Sequence, residues 1–212
     1  MKETLHIKIA TLLALGILTA SNANAQFVLV NQALDTGPGR TGFNSTLGYY
    51  SVYDDFTLGG GPVGTVGWFG TDSGITGFTV SFWTDNFGSP GTLLESDSIS
   101  GLAGATPTGI SLGSLPVYSY EVNLTAPFSG SFGTEYFLSI VASAAPGGGF
   151  FWADSMAGNG GGYQVGRLGD PDLVANTAFT LDEAAVPEPG VIALGVIGAS
   201  AFLIRRARGA PL

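Results

Sequence analysis

The residues of this sequence that could do chemistry are carboxylates. Asp54 and Asp55 stand side by side in the stretch SVYDDFTL, and Asp170 and Asp172 flank a proline in LGDPDLV. Carboxylates act as acid and base in glycoside hydrolysis, which needs two of them facing one cleft about 5–10 Å apart. Successive residues of a strand point to opposite faces, so Asp54 and Asp55 cannot form such a pair on a regular strand.

Composition excludes most other catalytic sites. The only histidine, His6, and the only lysines, Lys2 and Lys8, lie near the N-terminus, and the sequence contains no cysteine. The rest of the chain therefore cannot supply a Ser-His-Asp or Cys-His nucleophile, a Schiff-base or P-loop lysine, or a metal site built from imidazole or thiolate. We predict a protein that is not an enzyme and has no catalytic residue.

Two functions remain open to the carboxylates. A carbohydrate-active enzyme is one, with Glu121 and Glu135 as residues that could face a common cleft. Calcium binding is the other, because Asp85 and Asn86 lie in the loop WTDNFGSPG and calcium takes oxygen ligands from such loops. Asx turns account for the same two residues without a metal. We therefore predict no cofactor and keep calcium as the alternative.

An export signal is predicted over residues 1–25. This segment begins with two lysines in its first eight residues, and Ile9–Ala20 is apolar. Ala23-Asn24-Ala25 then fits the small-x-small pattern of a signal-peptidase site, so we expect cleavage between Ala25 and Gln26. Because there is no cysteine, an exported domain of this chain cannot contain a disulfide.

Residues 26–185 have the pattern of one all-β domain. No window in this range sustains a helical period, and short aromatic and β-branched runs recur between turn residues. The nine predicted strands are 49–58, 63–70, 75–84, 92–99, 117–125, 135–143, 149–155, 163–168 and 176–182. We predict an antiparallel two-sheet β-sandwich that is jelly-roll-like.

One tryptophan is predicted to lie outside the core. Phe78, Val80 and Phe82 alternate along one face of their strand, which places Trp83 on the opposite face. An exposed indole ring offers a flat surface on which a sugar could stack, so we predict a glycan contact at Trp83. The other two tryptophans are predicted to pack in the core; they are Trp68 and Trp152.

The charge of the predicted domain excludes one class of partner. Residues 26–185 contain two arginines and fourteen acidic residues, a formal charge near −12. Such a surface repels phosphate backbones, so we expect no nucleic-acid partner. It attracts cations instead.

A short hydrophobic run precedes an arginine cluster at the end of the sequence. Val191–Ile204 is apolar and would span about 21 Å as a helix, which is short for a hydrocarbon core of about 30 Å. Pro187 and Pro189 separate this run from the predicted domain. The arginines that follow would stop transfer and stay in the cytoplasm; they are Arg205, Arg206 and Arg208.

Residues 186–212 resemble the PEP-CTERM sorting signal of Gram-negative bacteria. The resemblance lies in the order of Pro187-Glu188-Pro189, a short transmembrane helix and a terminal arginine cluster. It implies that exosortase, a membrane-embedded enzyme, recognises the tripeptide and that the tail is removed. Val191–Ile204 would then be a transient inner-membrane anchor. The family is found in species that make exopolysaccharide.

These features together predict a non-catalytic exported protein. We expect signal peptidase and exosortase to process the chain, and the mature protein to reach the cell surface or the extracellular matrix of a biofilm. Exopolysaccharide is the expected binding partner, because Trp83 is predicted to be exposed on an acidic, soluble domain. The carbohydrate-active enzyme remains the alternative function.

Overall fold

A computed structural model describes residues 27–158, 160–169 and 171–185. Every regular element in these residues is a β-strand, and every pair of hydrogen-bonded strands is antiparallel. The strands are β1 (Val28–Gln32), β2 (Gly42–Asn44), β3 (Tyr50–Thr57), β4 (Val63–Thr71), β5 (Ser73–Asp85), β6 (Pro90–Ser100), β7 (Thr106–Leu112), β8 (Leu115–Phe128), β9 (Glu135–Gly149), β10 (Phe151–Ala153), β11 (Gly162–Gly166), β12 (Pro171–Val174) and β13 (Phe179–Glu183).

The strands form two sheets. One has six strands in the order β12-β11-β3-β9-β5-β6. In the other, seven-stranded sheet, β4 is central: β8 lies on one side of it, and β13 and β10 lie on the other. Strands β7, β1 and β2 form the outer positions of this second sheet. The all-β prediction is confirmed, and the two antiparallel sheets agree with a β-sandwich.

Alternating side chains place the core between the sheets. Phe78, Val80 and Phe82 of β5 are buried in one hydrophobic cluster, as their alternation predicts. Across the sandwich, Phe78 contacts the rings of Trp68 on β4 and Tyr120 on β8, with centroids 5.0 Å away in both cases. Aromatic side chains from both sheets thus hold the two layers together through buried area and edge-to-face contacts.

All nine predicted strands are confirmed, and four further strands were not predicted. These four are β1, β2, β7 and β12, and each lies at an edge of its sheet. An edge strand has fewer neighbours, so its sequence needs less hydrophobic alternation than a central strand. In two of them, proline and glycine also weaken the strand pattern of the sequence. Pro107 and Gly109 lie within β7, and Pro171 is the first residue of β12.

The predicted targeting segments lie outside the described residues. This applies to the signal peptide at 1–25, the tripeptide Pro187-Glu188-Pro189, the hydrophobic run Val191–Ile204 and the arginines after it, which all stay predictions. Within the part of the chain that the structure describes, no helix has the length and apolar character needed to cross a bilayer.

Candidate functional site

The candidate site lies on the outer face of the six-stranded sheet. Val52 and Phe56 of β3 pack into the core. Because side chains alternate along a strand, Tyr53 and Asp55 point away from the core. Directly paired residues of antiparallel strands share a face. Tyr163 of β11 pairs with Tyr53 and therefore lies on the same outer surface.

Four aromatic side chains on this surface form what we call the aromatic face. It consists of Tyr53, Trp83, Phe137 and Tyr163. The Tyr53 and Trp83 rings meet edge to face with centroids 5.6 Å apart, and Phe137 meets Tyr163 in the same way at 5.8 Å. Each contact reaches across an intervening strand, because the sheet order is β11-β3-β9-β5. The four rings thus lie on one outer face over four strands, where Phe137 is 1% exposed and the other three rings are half-buried.

Trp83 is on the predicted face but is only partly exposed. It is half-buried, and its indole nitrogen is buried with no hydrogen-bond partner among the described residues. More apolar surface is open at the two ends of the aromatic face. Leu93 pairs with Trp83 at one end and is 47% exposed; Leu173 pairs with Tyr163 at the other end and is 73% exposed. Trp68 and Trp152 are fully buried, which confirms their predicted place in the core.

A pair of carboxyl groups adjoins the aromatic face, and we call it the carboxyl pair. Asp55 of β3 and Glu135 of β9 are hydrogen-bonded to each other. This hydrogen bond, with burial and the negative charges of Asp55 and Asp85, raises the pKa of Glu135 to about 7. Glu135 and Asp85 both line an open cleft of about 640 Å³ beside the sheet. The pair therefore holds a proton near neutral pH at the edge of this cleft.

The carboxyl pair does not have the separation that a glycosidase uses. Two hydrogen-bonded carboxyl groups leave no room between them for a water molecule or a sugar carbon, whereas retaining and inverting enzymes need about 5–10 Å. The other pair considered from the sequence, Glu121 and Glu135, is not brought together. Glu121 is on β8 in the seven-stranded sheet and points outward, so the two glutamates lie on opposite outer faces of the sandwich.

The loop that follows β5 forms a turn. The Gly88 amide donates to Asp85 Oδ1 at 2.7 Å, and the Asn86 amide donates to the Ser89 carbonyl oxygen at 2.8 Å. The bond to Asp85 Oδ1 is the side-chain-to-backbone contact that the Asx-turn interpretation predicts, whereas the Asn86 bond joins two backbone groups. Among the residues that the structure describes, no group of three or more acidic or histidine side chains is arranged to hold a metal ion. The prediction of no cofactor and its alternative, calcium binding, are both untested, and Asp170 lies outside the described residues.

A second carboxylate site, not predicted from the sequence, lies inside the sandwich. Asp54 is fully buried and accepts hydrogen bonds from the Thr177 amide and from Thr177 Oγ1, the latter at 2.8 Å. Gln32 Nε2 donates to Asp54 Oδ1 at 3.5 Å and to the Asp55 carbonyl oxygen at 3.2 Å. We call Gln32, Asp54 and Thr177 the buried polar cluster. Burial raises the pKa of Asp54 to about 7, although the bonds from Thr177 oppose the rise.

The sequence offered only one signal for the buried polar cluster. A charged residue at an inward position of a strand needs a partner, and the alternation around Asp54 places it inward. Its partners are 22 and 123 residues away in the sequence. No local pattern could identify them, because the fold alone brings β1, β3 and the residues before β13 together.

Comparisons with known proteins give no family for this chain. No family model matches it, and no curated protein matches it either. What the protein does must therefore follow from its own residues.

Proposed function

We propose that this chain is an exported, non-catalytic surface or matrix protein that binds exopolysaccharide through the aromatic face. The sorting part of the proposal is supported by the predicted signal peptide, by Pro187-Glu188-Pro189 and by the hydrophobic and arginine segments that follow. Signal peptidase and exosortase would process the two ends. The domain, which we infer to be jelly-roll-like, would then remain at the cell surface or in the extracellular matrix.

The aromatic face is the observation that carries the glycan-binding part. Its four rings lie on one outer face, where all but the buried Phe137 are partly open to solvent, and exposed Leu93 and Leu173 extend that face at both ends. Six strands about 4.8 Å apart span roughly 24 Å, which is long enough for several sugar units. The apolar faces of sugar rings pack on aromatic side chains, while their hydroxyl groups need hydrogen-bond partners.

The carboxyl pair supplies such partners beside the rings. A protonated carboxyl group both donates and accepts a hydrogen bond, whereas an ionised one only accepts. Glu135, with its pKa raised to about 7, can therefore bond a sugar hydroxyl in either sense near neutral pH. An acidic surface also keeps a matrix protein soluble.

The binding test compares two aromatic substitutions. Trp83→Ala removes the ring that ends the aromatic face, and Tyr49→Ala removes an exposed ring from the turn before β3, outside that face. We expect Trp83→Ala to weaken pull-down by host exopolysaccharide at least tenfold and Tyr49→Ala to leave it unchanged. Equal binding by the wild type and Trp83→Ala would refute glycan binding at this face.

The sorting test uses the protein from a host that has exosortase. We expect mass spectrometry to find no peptide beyond Glu188 in the mature protein, and Glu188→Ala to retain the tail in the membrane fraction. A wild-type protein that keeps its tail would contradict sorting by exosortase and leave the glycan-binding result unaffected.

A carbohydrate-active enzyme is the second candidate, because the pKa of Glu135 suits a general acid at neutral pH. Asp55 is too close to act as its counterpart, so Asp85, which lines the same cleft, would have to be the second carboxylate. Release of sugar from exopolysaccharide by the wild type but not by Glu135→Gln would favour this function. No release by the wild type would exclude it for that substrate.

A further inference from the structure

The buried polar cluster brings a hydroxyl group and a carboxamide to one carboxyl group. Thr177 Oγ1 bonds one oxygen of Asp54 at 2.8 Å, and Gln32 Nε2 lies 3.5 Å from the other. Gln32 is at the end of β1, the first strand, and Thr177 is two residues before β13, the last strand. A potential nucleophile, the Thr177 hydroxyl group, and a potential acyl group, the Gln32 carboxamide, thus bond to the two oxygens of one carboxyl group that can carry a proton between them.

We propose that the hydroxyl group of Thr177 attacks the side-chain carboxamide of Gln32 and forms an intramolecular ester. The C–N bond of the carboxamide breaks, a C–O bond to Thr177 Oγ1 forms, and one molecule of ammonia leaves. The hydroxyl proton passes through Asp54 to the departing nitrogen, so atoms and charges balance. No oxidant, metal or second substrate is consumed.

Asp54 is suited to carry this proton. It already accepts the Thr177 hydroxyl hydrogen and contacts the nitrogen that must leave. A pKa of about 7 lets a carboxyl group take up and return a proton near neutral pH. The reaction occurs only once per molecule, so a slow step is sufficient when the fold holds both groups at the same carboxyl group.

Burial favours the ester over its hydrolysis. Asp54 and Thr177 have no exposed surface and Gln32 is 5% exposed. Water therefore cannot reach the Thr177 hydroxyl group, whereas Gln32 borders an open cleft of about 290 Å³ through which ammonia can leave. The carbonyl oxygen of the Gln32 side chain accepts no hydrogen bond among the described residues, so no partner has to be displaced when the oxygen moves.

The link would join the two ends of a domain that has no cysteine. Exported domains commonly use disulfides to constrain the unfolded chain, and this sequence cannot. An ester between residues 32 and 177 would close a loop that contains almost the whole sandwich, with the same effect on the unfolded ensemble.

Trypsin provides the test, because the only arginines in residues 26–185 are Arg40 and Arg167. Full-length protein is purified folded, denatured and digested, which separates the peptide that ends at Arg40 from the one that begins at Leu168. We expect a single species containing both peptides, lighter than their sum by one ammonia. Hydroxylamine, which cleaves esters and leaves amides intact, should separate it. Two separate peptides of unchanged mass from the folded wild type would overturn the proposal.

Variants control for other ways of losing ammonia. An N-terminal Gln26 exposed by signal cleavage can cyclise with the same mass loss, so the linked peptides, not the intact mass, are the readout. Thr177→Val should abolish the linked species, and Thr177→Ser, which keeps a hydroxyl group, should restore it. Linked peptides that persist in Thr177→Val would also overturn the assignment to Thr177.

Discussion

Asp54 and Asp55 are neighbours in the sequence, yet they lie on opposite faces of the six-stranded sheet. Both are almost inaccessible to solvent, at 0% and 4% exposure. Asp54 points between the sheets and accepts hydrogen bonds from Thr177 and Gln32. Asp55 points outward and shares a hydrogen bond with Glu135 beside the aromatic face.

The difference lies in how each carboxyl group is compensated. Inside the sandwich, neutral donors from the other sheet surround Asp54, and burial keeps its proton on to near neutral pH. On the outer face, Asp55 is instead hydrogen-bonded to Glu135, which holds a proton near neutral pH. Interior compensation serves the fold, whereas a proton held at the edge of an open cleft can be exchanged with a ligand.

The largest contrast between inside and outside is expected for the tryptophans. Trp68→Ala empties a site with no exposed surface, in contact with Phe78 and Tyr120, and should cost about 3–5 kcal/mol of unfolding free energy. Trp83→Ala removes a half-buried ring and should cost about 1.5 kcal/mol. Urea unfolding of both variants measures this. Equal losses would mean that the aromatic face is part of the core.

Much of this arrangement could be predicted from the sequence, and the reason is periodicity. Alternation placed Phe78, Val80 and Phe82 inward, Trp83 outward, and Asp54 opposite Asp55, and each placement is confirmed. Pairings between distant strands could not be predicted, because alternation specifies a face but not a neighbour. The partners Glu135 and Thr177 therefore emerge only from the fold, and so do the edge strands.

The second prediction concerns the pH dependence of stability, which we expect to arise mainly inside the sandwich. The pKa of Asp54 is raised from 3.8 to about 7, so the folded state keeps a proton that the unfolded state has lost. Stability should therefore fall as pH rises from about 4 to about 7, then level off. At about 1.36 kcal/mol per pKa unit, the fall is on the order of 4 kcal/mol.

Asp54→Asn tests this slope because an amide cannot ionise. Unfolding free energies measured from pH 4 to pH 8 should decline less steeply in this variant than in the wild type. The comparison uses slopes, since the substitution also changes hydrogen bonds. An unchanged slope would show that Asp54 is not the titrating group.

The third prediction is the loss of the interior acceptor. Asp54→Ala leaves the buried amide and hydroxyl of Thr177 without their acceptor and opens a cavity, which should cost about 3 kcal/mol at pH 5. Loss of a covalent link to Gln32 would add to this.

Asp172→Ala, at an exposed position of β12, is the control and should change stability by less than about 0.5 kcal/mol. Thermal unfolding distinguishes the two, and a loss below 1 kcal/mol for Asp54→Ala, roughly one ordinary hydrogen bond, would argue against a structural role.

The smallest effect is expected at the carboxyl pair, and its sign depends on pH. At pH 8, above the raised pKa of about 7, Glu135 is ionised beside Asp55 and Asp85. Glu135→Gln removes that repulsion and supplies an amide donor, so the variant should be more stable than the wild type. Solvent screens the exposed part of Glu135, which keeps the gain below about 1 kcal/mol.

At pH 5 the same substitution should have almost no effect, because the wild-type glutamate already holds a proton. Glu121→Gln, on the opposite outer face, is the matched control and should not reproduce the dependence on pH. If Glu135→Gln were equally stabilising at both values of pH, the proton would not be shared within the pair. The outer carboxyl groups would then be compensated by neutral donors, as Asp54 is, and the contrast between the two sides would disappear.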